Sequence, residues 1–131
     1  MPWGERTAFA YALKTQLERC AHVAFGSDAP VESPNPFLGI HAAVTRRRAD
    51  GSPLPEGWHP EQRLSVQQAI EGFTTGAAYA AQAEDRQGRL APGTLADLIV
   101  LETDPYACNP EELRGLRSSA TMVGGEWVLQ T

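Results

Sequence analysis

At 131 residues, 42% hydrophobic and 21% charged, the chain has the length and balance of one folded domain, not of a disordered segment. Its net charge of −5 argues against a nucleic-acid backbone as partner. No apolar run approaches the ~20 residues that span a bilayer. The opening residues Met1-Pro2-Trp3-Gly4-Glu5-Arg6 lack a signal-peptide shape, so the expectation is a cytoplasmic protein without a membrane partner.

In chain order, Ala8, Phe9, Ala12, Leu13 and Leu17 recur at three- and four-residue steps, which predicts an amphipathic helix over 5–20. The apolar run 22–26 then reads as a short buried strand. It stops at Gly26-Ser27-Asp28, and Pro30, Pro34 and Pro36 stiffen the loop beyond. A strand that delivers one carboxylate at its C-terminal tip is how an α/β barrel furnishes its active-site mouth, which makes Asp28 the candidate catalytic residue.

A second helix is expected over 37–47, with Phe37, Ile40, His41 and Val44 on one face. Arg46-Arg47-Arg48 then reads as a solvated helix C-terminus. Residues 49–60 hold three prolines and two glycines and form a loop. Ser65 and Gln68 match a capping box that starts a third helix through Val66, Ala69, Ile70 and Phe73. A small-residue helix follows over 76–83. Asp97 should end a turn before a β-branched strand, and Asn109-Pro110 should open a short helix. The final stretch reads as a hairpin turning at Gly124-Gly125. The fold class is α/β, with α/β material over 1–85 and a β-rich module over 86–131.

Cys20 and Cys108 form no Cys-x-x-Cys pair and read as free thiols of a reducing compartment. His22, His41 and His59 share no short ligand spacing and read as ordinary structural histidines, with His59 the nearest to any substrate mouth.

Three signatures resemble the C-terminal part of the metal-dependent amidohydrolase superfamily, in the subgroup that includes N-substituted formamide deformylase. They are Phe25-Gly26-Ser27-Asp28-Ala29-Pro30-Val31 with Asn35-Pro36-Phe37-Leu38-Gly39-Ile40 and Ala43-Val44-Thr45-Arg46; Leu64-Ser65-Val66-Gln67-Gln68-Ala69-Ile70 through Thr74-Thr75-Gly76-Ala77-Ala78-Tyr79-Ala80; and Gly88-Arg89-Leu90-Ala91-Pro92-Gly93-Thr94-Leu95-Ala96-Asp97-Leu98-Ile99-Val100-Leu101 with Met122-Val123-Gly124-Gly125-Glu126-Trp127-Val128. The resemblance implies a C-terminal fragment of a (β/α)₈ metal-hydrolase barrel, its last strand and flanking helices, plus part of a small β-sandwich.

It also implies that Asp28 ligates a divalent metal, usually zinc, and takes a proton from the metal-bound water during hydrolysis of a small-molecule amide-type C–N bond. The His-x-His pair, the mid-barrel Lys or Glu and the later barrel histidines of that family are absent. A catalytic zinc needs about three protein ligands, so this chain alone is expected to be inactive. The competing expectation is a non-catalytic, self-associating scaffold module derived from the same fold. Either way the exposed edge of a lone barrel strand would be covered, by a homo-oligomer or by the missing barrel portion.

Overall fold

In the computed structural model, residues 4–19 and 22–130 are described. The first predicted helix is broken. A 3₁₀ turn covers Gly4–Phe9, and α1 starts afresh at Leu13–Arg19. Between them Tyr11 has φ +53°, a left-handed conformation no helix interior accommodates. The predicted apolar face holds only beyond the break: Ala12 is buried and Leu13 and Leu17 half-buried, while Ala8 and Phe9 are exposed.

Helix α2 (Pro36–Thr45) starts where Asn35 Oδ1 accepts the Phe37 N–H at 3.0 Å and Pro36 occupies the first turn. It buries Phe37, Ile40, His41, Ala43 and Thr45, more than one face, because it is packed on two sides. One neighbour is α3 (Val66–Phe73); the other is the 3₁₀ turn Leu113–Gly115. Phe37, Ile40, Ala43, Leu64, Ala69, Leu113 and Leu116 form the core at this junction. The capping box on α3 is present in full, with Ser65 Oγ accepting from Gln68 N and Gln68 Oε1 accepting from Ser65 N.

The expected helix end at Arg47 needs correction. Helix α2 stops at Thr45, and Arg46 caps it at φ +59° with its N–H on the Ala42 carbonyl. Arg46 is only 9% exposed and Arg47 is half-buried, so of the three arginines only Arg48 sits in solvent. His41 is buried too. Its Nε2 lies 3.3 Å from Glu111, whose other oxygen accepts from Arg47 Nη2. Burial, then the nearby Arg114 and Arg47, push the imidazole below its ordinary pKa. It is therefore neutral near pH 7 and donates to Glu111.

Helix α4 (Thr75–Ala80) follows α3 almost directly. The C-terminal part carries β1 (Leu98–Leu101), β2 (Ser118–Val123) and β3 (Glu126–Gln130) in one antiparallel sheet of order β1-β2-β3. Ile99 pairs with Thr121, and Thr121 with Leu129. The β2–β3 hairpin turns at Gly124 and Gly125, both at positive φ, as a two-residue turn of this hand requires. Asp97 Oδ1 accepts the Gly124 N–H at 2.7 Å, tying the start of β1 to that turn. Asn109-Pro110 opens a turn and not a helix; the 3₁₀ segment begins at Leu113.

Candidate functional site

The predicted strand over 22–26 also needs correction: it has no strand partner among the described residues. Residues 22–28 instead run alongside α3 and α4. Phe25 N donates to Gly72 O at 2.9 Å, and a Cβ on Gly76 would strike the Val23 carbonyl. With Val23 against Gly76 and Phe25 against Gly72, the run passes antiparallel to the helical segment that follows it. Its residues alternate in exposure, with Val23, Phe25 and Ser27 half-buried and His22, Ala24, Gly26 and Asp28 exposed. Phe25 meets Phe73 edge-on at 5.6 Å between ring centroids. Gly72 and Gly76 permit the close approach, because a side chain at either would collide with this run.

Asp28 ends the run. Its φ is +57°, and its backbone carbonyl accepts from Val31 N at 2.9 Å and Glu32 N at 3.4 Å. The turn is thus closed by the main chain. The carboxylate is exposed and has no hydrogen bond or ion pair among the described residues. An aspartate whose side chain does not cap its own loop is open to other chemistry.

The three histidines do not converge on it. His22 stacks on Tyr79 with ring centroids 3.7 Å apart, six residues before Asp28 in the chain. His41 is taken up in the core by Glu111. His59 pairs through Nδ1 with Glu61 at 3.0 Å and packs on Trp58. Among the described residues no three of His, Cys, Asp and Glu cluster as a metal site would require. The described residues by themselves do not fit a catalytic zinc.

Cys108 is free and half-buried; burial, then Glu112 and Asp104, raise its thiol pKa, which is the wrong direction for a nucleophile. Cys20 lies outside the described residues. No helix among them is long and apolar enough to cross a membrane. A feature that sequence reasoning passed over lies at the C-terminal end of α2, where Arg46 and Trp58 meet; three cations trailing a helix did not reveal that one of them is buried.

Comparison with known proteins decides the lineage. The model of the amidohydrolase family matches residues 3–129. The chain belongs to the amidohydrolase family. Among curated amidohydrolase relatives, "Putative amidohydrolase YtcJ" of Bacillus subtilis (strain 168) is 35% identical over 126 residues, 96% of this chain and 24% of that protein. The N-substituted formamide deformylase of Arthrobacter pascens is 29% identical over 88% of this chain and 20% of its own length. Protein LONG AFTER FAR-RED 3 of Arabidopsis thaliana is 34% identical over 89% of this chain and 19% of its own. The chain thus spans about a quarter or less of the relatives it matches. No solved structure matches it.

Proposed function

We propose that this chain works as the C-terminal part of a metal-dependent amidohydrolase that hydrolyses amide-type C–N bonds in small molecules. In this reading residues 1–85 contribute the last barrel strand and its flanking helices, and residues 86–131 contribute strands of the small sandwich domain. One observation carries it: a run that passes antiparallel to a helical segment ends in an exposed, unengaged aspartate. The Asp28 carboxylate is exposed at the end of that run, the position from which a barrel strand presents a side chain to the active-site mouth.

Asp28 is the residue we assign as metal ligand and proton acceptor. A bound divalent metal, zinc for preference, would supply a water acidic enough to attack at neutral pH. The remaining ligands must come from barrel strands not found among the described residues, so the chain alone is assigned no catalytic step. The amide-type substrate is suggested by the Arthrobacter relative, named as a deformylase of N-substituted formamides.

Replacing the matching segment of that deformylase with this chain tests the assignment. Formamide hydrolysis should survive in the chimera and fall at least about 100-fold with Asp28→Asn. A chimera whose activity is indifferent to Asp28→Asn would remove Asp28 from the site.

A second reading has its own observation. Ile99 and Val100, neighbours that face opposite sides of the sheet, are both exposed, as are Val123, Trp127, Val128 and Leu129. Such surface favours self-association as a scaffold module. A stable metal-free homodimer in sedimentation equilibrium would support that reading over the enzyme part.

A further inference from the structure

Val31 is 78% exposed, more than any other valine, leucine or isoleucine of the chain. Single exposed aliphatic residues are common on protein surfaces. What sets this one apart is where the chain holds it. Its N–H donates to the Asp28 carbonyl at 2.9 Å and closes a turn. The first and fourth Cα atoms of such a turn lie within about 7 Å, so Val31 stands beside the carboxylate assigned to the hydrolytic site. The far end of the loop is tied down as well. Ser33 Oγ accepts the Asn35 N–H at 3.3 Å, and Asn35 in turn caps α2. Pro30 and Pro34 restrict the backbone between these ties. A side chain on so constrained a loop loses little freedom when a ligand packs against it.

The chemistry of the site says which part of a substrate comes near. Hydrolysis of a formamide needs a proton on the leaving nitrogen as the C–N bond breaks. With Asp28 as proton acceptor, the carboxyl that took the water's proton returns it to that nitrogen, and the water's oxygen stays on the formyl carbon. The products are formate and an amine. For this the nitrogen has to come within about 3.2 Å of a carboxyl oxygen, or within reach through one water. The formyl carbon bears only hydrogen, so all the variable bulk of such a substrate hangs on the nitrogen and begins next to Asp28. In the loop over 28–35 the other side chains are small, polar or proline, and Val31 is the only large open-chain apolar group there.

We propose that Val31 is a specificity-determining residue of this site, packing against an aliphatic substituent on the leaving nitrogen and favouring amides of longer alkylamines over those of methylamine. The inference rests on the assignment of Asp28 under the proposed function and adds to it the class of amine released.

The chimera with the Arthrobacter deformylase tests it, with N-butylformamide and N-methylformamide as paired substrates. The ratio of their kcat/KM values should fall about fivefold in Val31→Ala and about tenfold in Val31→Ser. Val31→Ile, which keeps a branched aliphatic group, should hold the ratio within about twofold. In a methyl-labelled chimera, nuclear Overhauser effects between Val31 and bound butylamine, the product, should report the same contact without turnover. A ratio unmoved by Val31→Ser, in a chimera that Asp28→Asn inactivates, would overturn the inference and leave the Asp28 assignment standing. Activity indifferent to Asp28→Asn would instead remove the assignment, and the inference with it. Equal losses for the two substrates, or a lowered denaturation midpoint for Val31→Ser in the 131-residue chain, would show a side chain packed on protein and would also overturn the inference. So would the absence of any Overhauser contact with bound butylamine.

Discussion

The two halves of this molecule handle their apolar residues in opposite ways. Around α2, α3 and the Leu113–Gly115 turn, side chains from distant parts of the sequence close into one core, and Leu113 is 1% exposed. Along residues 22–28 and the three-stranded sheet, apolar residues alternate or lie open, and every residue of β3 is exposed. The first half is finished by its own chain. The second is built like one layer of something thicker, since strands with exposed apolar residues on both sides do not satisfy the layer packing from which domains are made.

That contrast can be broken at either end. The largest effect is expected from Leu113→Ala, which should lose about 2–5 kcal/mol of stability in urea denaturation by opening a cavity where α2 meets the 3₁₀ turn. A loss below about 1 kcal/mol would mean the core is looser than its burial implies. Next, Gly76→Val drives a side chain into the Val23 carbonyl. It should cost roughly 1–3 kcal/mol and abolish hydrogen-exchange protection at the Phe25 amide while sparing α2. Loss of protection throughout would show that the run and the core are one cooperative unit.

The core also carries a pH signature. Because burial and two guanidiniums depress the pKa of His41, the unfolded chain binds more protons than the folded one as pH falls below the ordinary histidine value of about 6.5. Stability should therefore decline from about pH 6.5 downward until the folded-state pKa is passed. His41→Gln should flatten that slope in pH-dependent denaturation. The smallest effect is expected in the open half. Trp127→Ser should shift stability by no more than about 0.5 kcal/mol while reducing any self-association seen by sedimentation velocity. A large loss would mean the sheet is already covered in the isolated chain.

How much could be read beforehand follows the same division. The capping box at Ser65 and the hairpin at Gly124-Gly125 were legible because each is decided by neighbouring residues. The break at Tyr11 was not, since nothing in its own residue type asks for a left-handed φ. The apolar run 22–26 was recognisable as strand-like, but a strand needs a partner, and partnering is not a local property. Arg46 was misjudged for a similar reason: its burial depends on Trp58, twelve residues away. Asp28 was marked by its place at the end of that run, where its carboxylate is exposed.

In the proposed function, the described residues supply one carboxylate, Asp28, to a metal hydrolase site and none of the other ligands. Zinc stoichiometry measured together with formamide turnover, on the purified 131 residues, tests it most directly. No stoichiometric zinc should be retained after dialysis, and no hydrolysis should rise above buffer. One tightly held zinc per chain, with turnover lost in Asp28→Asn, would contradict it.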